Sequence, residues 1–444
     1  MSTLTASSVQ TSPTQTSPLQ ALPPLQALPP LTPSQFVQVR QRAMFECFKW
    51  DPQVEDECTL ADFALSIEAR AWDEIAHLAE KLAAETLAME RELCYMPHLH
   101  ARLGLPRVIQ RLWRRGVQDD GQHTRVIRFD FHFTADGWRI SEANTDVPGG
   151  YNEASGVTRL MAEHYPGTRM TGDPAFALAQ AVHARCGAGA RVALVHATAF
   201  TDDRQVMTFL AALLEAEGLH PTLASPAHLR WVGGARLEAD WLEVKAASID
   251  HIIRFFPAEW LPNLRRDAPW QILFTGPPVP CTNPASALLT QTKRLPLIWD
   301  NLHACHDTWL SLLPETRAPE RLNKLDQTAW VLKPALGRVG EDVGMHGIVP
   351  ETDWRRIVQA AKRAPDDWVL QRRFDIVSVE TAHGPVYPCL GVYTVDGKAA
   401  GVYGRIGRTP HIDALARDVA VLLKEDKPGM PETSRAYIKA EMRS

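Results

Sequence analysis

"RFDFHFTADGWRISEANTD", residues 128–146, reads as two strands joined by a turn, with polar residues where a purely structural hairpin would carry none. Phe129, Phe131 and Phe133 alternate with Arg128, Asp130 and His132, the period of a strand with one face in a core. Thr134-Ala135-Asp136-Gly137 supplies the turn, and Ile140 then precedes Glu142 and Asn144. The same alternation gives Arg128 and Asp130 one face, and Glu142 and Asn144 one face of the returning strand. If the strands pair, two carboxylates and an amide oxygen converge. Such hard oxygen donors suit Mg2+, which keeps waters and accepts phosphate oxygens as its remaining ligands. Arg128 opposes repulsion between the acids and has the forked geometry to clamp a phosphoryl group. The competing reading is an exposed hairpin face with a surface ion pair, and spacing alone leaves both open.

The chain around this hairpin has 444 residues, 45% hydrophobic and 22% charged, with a net charge of -5. That length allows two or three domains with a sizeable core. The acidic balance argues against a general nucleic-acid binder, and no apolar run is long enough to predict a membrane span. Seven scattered cysteines with no Cys-x-x-Cys pair point to reduced thiols and a cytoplasmic setting. Residues 1–35, with "PLQALPPLQALPPL" and no charge, read as a disordered Pro/Gln-rich tail, docking through Pro-Pro pairs being the alternative.

Residues 36–186 read as a helical segment plus the hairpin. Leu65, Trp72, Ile75, Leu78 and Leu82 predict one long amphipathic helix over 59–94, and Asn152 is a candidate cap for a helix after Pro148-Gly149-Gly150. Residues 187–300 read as an α/β layer. Strands at 192–196 and 221–224 flank a helix at 203–217, a β-α-β unit with parallel strands, and 249–256 is a further strand. No Gly-x-Gly-x-x-Gly opens that helix, so no dinucleotide site is expected. Residues 301–444 read as an α+β lid. "WVLKPALGRVGEDVGMHGIV" is strand, glycine-punctuated loop, strand; a helix over 353–363 follows, capped by Thr352 or Asp353. The strand "WVLQRRFDIV" and a hairpin turned at Asp396-Gly397 complete it.

Lys333 ends the strand before the loop with Gly337 and Gly340, and glycines let backbone N–H groups approach phosphate oxygens. Gly-Lys-Ser/Thr is absent, so this is not a Walker A loop, and an ordinary hairpin with glycine turns remains open. Lys293 and Arg405 are isolated bases whose bland reading is solvated surface charge. His303, Cys305 and His306 have poor ligand spacing for zinc, and neither Gly-x-Ser-x-Gly nor His-Glu-x-x-His occurs.

"RFDF…SEANTD", "TKRLPLIW", "WVLKPALGRVG", "VLQRRF" and "GVYTVDGKAAGVYGRIG", in that order, resemble the synthetase domain of glutathionylspermidine synthase, from about residue 36 to the C-terminus. The resemblance implies an ATP-grasp fold with a pre-ATP-grasp α/β layer and a glycine-rich nucleotide lid, so the fold class is α/β and α+β. It implies Asp130, Glu142 and Asn144 as magnesium ligands and Arg128 as the phosphoryl-clamping arginine. Lys293 and Lys333 correspond to the family's phosphate-holding lysines, Gln371 to its adenine-side glutamine and Arg405 to its late arginine. The implied activity is that of an ATP-grasp C–N ligase, a carboxylate–amine ligase that uses ATP and Mg2+ to form an amide through an acyl phosphate. Its substrates would be a small-molecule or peptide carboxylate and an amine, with no nucleic-acid or membrane partner; nothing indicates an oligomeric state. The amidase half of bifunctional members is expected to be missing. The alternatives are an ATP-dependent phosphotransferase acting on a carboxylate and a non-catalytic ATP-binding protein.

Overall fold

The structure is a computed structural model that describes residues 24–50, 53–54, 57–114, 123–232, 236–241, 244–320, 326–337, 340 and 342–425. Among the described residues the hairpin strands, Val126–Thr134 and Gly137–Asn144, form one edge of a nine-stranded sheet. Next to them lie Gly384–Val395, Lys398–Gly407, Arg417–Lys424, Leu60–Ile67 and Leu25–Ala27, in that order. All these neighbours run antiparallel except Arg417–Lys424 and Leu60–Ile67, which are parallel. Helix Ala69–Cys94 lies against this sheet and buries Trp72, Ile75, Ala79, Leu82, Thr86, Met89 and Leu93, a stripe spaced by three and four residues.

Three expectations are corrected here. The predicted helix over 59–94 is a strand over Leu60–Ile67 followed by the helix. Phe63 and Leu65 belong to one core and Leu60 and Ala64 to another, so the segment is buried on both faces and shows no polar alternation. Residues 24–35 of the predicted tail are structured. Leu25–Ala27 pairs with Leu65–Ile67, and Thr32 caps helix Pro33–Glu46 in a capping box with Gln35. Residues 1–23 lie outside the described residues. Finally, the hairpin over 384–407 belongs to the large sheet, not to the lid.

The lid proper is a four-stranded sheet of Thr316–Arg317, Trp368–Arg372, Trp330–Pro334 and Gly344–Met345, all antiparallel. Helix Glu351–Arg363 packs on it through Trp354, Ile357 and Ala361 against Trp330, Leu332 and Leu370. Pro350 stands at its N-cap, so neither Thr352 nor Asp353 caps it.

The α/β layer is present as a parallel sheet ordered Cys281–Thr282, His251–Arg254, Arg191–Val195 and His220–Ala224, with helix Thr201–Ala216 in the crossover. Beside it runs a three-stranded antiparallel sheet over Leu229–Val232, Arg236–Trp241 and Val244–Ile249, which sequence patterning does not predict. No helix of the described residues is long and apolar enough to cross a membrane.

Candidate active site

The hairpin register explains how the acids reach one face. Arg128 faces Asn144 and Asp130 faces Glu142, but Phe131 pairs with Ile140, which leaves Ser141 as an extra residue. Trp138, Ile140, Glu142 and Asn144 are all even-numbered, so strict alternation would turn the last two into the core beside Ile140. The bulge at Ser141 switches the parity. Trp138, Ile140 and Ala143 are buried, whereas Ser141, Glu142 and Asn144 line a cavity of about 810 Å³.

Arg128 is held from several sides. Its Nε and Nη2 donate to Asp130 Oδ1 and Oδ2 at 2.8 and 3.0 Å, Nη1 donates to the Gly149 carbonyl at 2.7 Å, and the guanidinium lies 5.3 Å from the Tyr403 ring centroid. Burial alone would lower its basicity; the Asp130 carboxylate more than offsets this and keeps it charged. Room for the pair comes from Gly391, which faces Asp130 across the sheet. A Cβ there would stand 2.7 Å from Arg128 Cδ and 3.1 Å from Asp130 Oδ1.

Bases reach the acids from the lid and from Lys293, which precedes it in the chain. Lys333 Nζ donates to Gln371 Oε1 at 2.7 Å and to the Ser141 carbonyl at 3.0 Å. Burial pushes its pKa down to about 8, against the pull of Glu142. Lys293 lies 3.1 Å from Glu142 Oε2 and donates to the Gly337 carbonyl at 2.8 Å. Burial would raise the Glu142 pKa, but Lys293 and Lys333 reverse this and hold it below the ordinary carboxylate range. Lys333, Gln371, Arg405 and Gly340 reach the cavity wall, while Lys293 and Gly337 lie just behind it. Gly340 has φ +71° and backs onto the Ile412 carbonyl, where a Cβ would approach to 2.6 Å. Residues 338, 339 and 341 of this loop lie outside the described residues. Arg405 donates from Nη2 to the Asp413 carbonyl and keeps its Nε buried without a partner.

Sequence reasoning misses a second charged group in the cavity. Lys49 pairs with Glu153 and, at 3.1 Å, with Asp418, whose other oxygen accepts from Tyr403 at 2.7 Å. Asp202 and Asp203, from the first turn of Thr201–Ala216, line the same space. Positions 49, 153 and 418 come together only through tertiary packing, and none sits in a local motif. Asn152 is no helix cap; its amide donates to the Cys47 and Gln205 carbonyls.

Among the described residues no group of three or more His, Cys, Asp or Glu stands ready for a metal ion. The hairpin offers two carboxylates and an amide, each acid currently answered by a base. Such a sparse hard-oxygen set fits Mg2+ arriving with phosphate oxygens and waters better than an all-protein cage.

A strand-rich lid over a large mixed, mostly antiparallel sheet, together with a parallel layer, is the ATP-grasp architecture with its pre-ATP-grasp layer. The family model for the glutathionylspermidine synthase pre-ATP-grasp domain matches residues 34–424, so the chain belongs to that family. Among solved structures it is similar to a glutathione synthetase-like effector from Globodera pallida in its apo form. The identity is 13%, with 88% of this chain and 96% of that chain covered at a TM-score of 0.59. A protein assigned as a γ-glutamylcysteine synthetase from Methylobacillus flagellatus KT is 14% identical, with 76% and 88% covered and a TM-score of 0.41. No curated protein matches.

Proposed function

We propose that the protein is an ATP-dependent carboxylate–amine ligase that forms an amide through an acyl phosphate. The observation that carries this reading is the single cavity in which Asp130, Glu142 and Asn144 face Lys333 and Gln371 of the lid, with Arg128 and Arg405 beside them. Phosphoryl transfer needs positioning and charge neutralisation more than covalent help, and this set supplies both. Asp130, Glu142 and Asn144 are the residues that would hold Mg2+, which when bound neutralises phosphate charge. Arg128, already oriented by Asp130 and the Gly149 carbonyl, presents its remaining N–H groups to the transferring phosphoryl. Lys333 serves the phosphates from the lid wall, Lys293 steadies Glu142 and the loop at Gly337, and Gly340 leaves room for a backbone N–H to approach a phosphate. Gln371 takes the adenine side, and Arg405 is a further base for the nucleotide.

Glu153, Asp202, Asp203 and Asp418 also line the cavity, Glu153 and Asp418 paired with Lys49, and this acidic set suits a cationic amine. The test is ADP release by the purified protein against pooled peptides and amines, with mass spectrometry of the product. Stoichiometric ADP and amide support the ligase. ADP without amide would make it a phosphotransferase, and tight ATP binding without ADP release a nucleotide-binding protein.

A further inference from the structure

The hairpin bulge is held by two residues that contact neither a carboxylate side chain of the site nor the lid helix. His132 is buried, and its Nδ1 faces the Pro388 carbonyl at 3.2 Å. A carbonyl only accepts, so Nδ1 carries the proton and Nε2 is left as an acceptor. The Ser141 hydroxyl lies 3.0 Å from that Nε2. Phe374 packs at 5.5 Å from the imidazole and holds the ring plane. Ser141 is the unladdered residue of the bulge, so its carbonyl is turned out of the sheet, where Lys333 Nζ reaches it at 3.0 Å.

We infer that His132 and Ser141 are positioning residues: His132 pins the bulge at Ser141, and the pinned bulge both aims Glu142 and Asn144 into the cavity and anchors Lys333. The inference deepens the ligase reading and rests on it, because it gives the two residues a purpose at the same site. Without the pin the return strand can regain regular pairing, which turns Glu142 and Asn144 toward Ile140 and removes the carbonyl that Lys333 uses. An apolar residue at 132 would fill the same volume and leave the bulge unheld.

The test compares Ser141→Ala, His132→Leu and His132→Gln with the wild type in three measurements. These are amide exchange over 139–144 without ligand, calorimetric ATP binding across a Mg2+ titration, and melting temperature. Exchange over 139–144 should quicken in Ser141→Ala and His132→Leu. The Mg2+ concentration for half-maximal ATP binding should rise by about 10- to 100-fold, the usual effect of losing a partner that orients a ligand. His132→Gln, which can still accept from Ser141, should recover most of both. Exchange unchanged in both loss variants overturns the pin whatever the protein binds. If His132→Leu does not fold, Ser141→Ala, which removes one hydroxyl, decides alone. Quickened exchange with the Mg2+ requirement within two-fold of wild type overturns the link to the site. A His132→Gln that melts early and binds as poorly as His132→Leu reduces the residue to a packing role and overturns positioning. Wild-type protein that binds no ATP at any Mg2+ concentration defeats the ligase reading instead, and the exchange data still judge the pin.

Discussion

The parallel layer and the lid flank the same hairpin and are fastened to it in different ways. The layer is tied by short, buried side chains. Asp146, just after the return strand, accepts from Arg254 and from the Ala258 amide at 3.0 Å, and both charged side chains are essentially inaccessible. Asn283 accepts from the Val126 amide and donates to the carbonyls of Val126, Thr145 and Asp146, so it clasps both ends of the hairpin. Gln291 accepts from the amides of Thr145 and Asp146. The lid keeps its own small core, and lysine and arginine tips reach from it or to it: Lys333 to Ser141, Lys293 to Gly337, Arg294 to Trp368. The acids therefore sit on the part that is clasped, and Lys333 comes from the lid. Under the ligase reading, a site built this way would keep its carboxylates fixed while the lid closes over the nucleotide.

The largest effect should fall on Arg128, where the clasped side meets the chemistry. Under the ligase reading Arg128→Ala lowers turnover by about 10³-fold, the scale of losing a preorganised donor to developing charge, while ATP affinity changes far less. Single-turnover ADP formation with a separate binding titration reads the two terms. Normal turnover would remove Arg128 from catalysis and place the weight on the lid.

Next comes stability, where the contrast can be broken directly. Asp146→Ala strands Arg254 in a buried site and should cost about 3–5 kcal/mol. Glu315→Ala removes an exposed lid pair with Arg372 at 3.3 Å and should cost less than about 1 kcal/mol. Urea melts of both variants decide; equal losses would mean that the buried clasp on the hairpin is worth no more than an exposed pair within the lid.

Most of the layer and the hairpin was legible because each is local. The strands at 191–195 and 220–224 and the helix between them obey the patterns of a β-α-β unit, and polar residues at alternate hairpin positions announce a site. The bulge is not legible in the sequence: Ile140 and Glu142 share parity, and only Glu142's place in the cavity shows that Ser141 steps out of register. What stayed hidden depends on distant partners. Leu60–Ile67 looks helical because burial on both faces erases the polar alternation of a strand. The strands at 384–407 follow the lid in sequence, and only pairing with 126–131, some 260 residues away, assigns them to the large sheet. Lys49, Glu153 and Asp418 carry no motif at all.

A smaller effect should distinguish the layer by pH. His251 is buried there against Thr282, at 2.9 Å from its hydroxyl, and burial lowers its pKa to about 3. The unfolded chain takes up this proton near pH 6.5 and the native state does not. The stability due to neutral His251 is therefore fully present above pH 6.5 and is lost as pH falls toward 3, by up to about 1.4 kcal/mol per pH unit. His251→Gln should flatten that part of the acid limb in urea melts between pH 7 and 5. An unchanged slope would show that other groups govern acid sensitivity in the layer.

The smallest expected signal is also the most direct probe of the contrast. The segment 336–344 carries Gly337, Gly340 and Gly344 in its sequence, whereas strands 191–195 and 220–224 are laddered in a parallel sheet. If the lid carries the phosphate contacts, Mg2+ and ATP together should order backbone N–H groups near Gly337 and Gly340 and shut water from an acyl phosphate, which would otherwise hydrolyse before an amine arrived. Amide exchange should then slow across 336–344 much more than across 192–224. Because both regions are measured in one sample, a general stabilisation by ligand cannot imitate the difference. The layer's clasp predicts little change there with or without nucleotide, since its amides are already protected. Equal slowing in both regions, or none in the loop, would mean that the glycines are turns only and that Lys333 acts from a wall as fixed as the hairpin it touches.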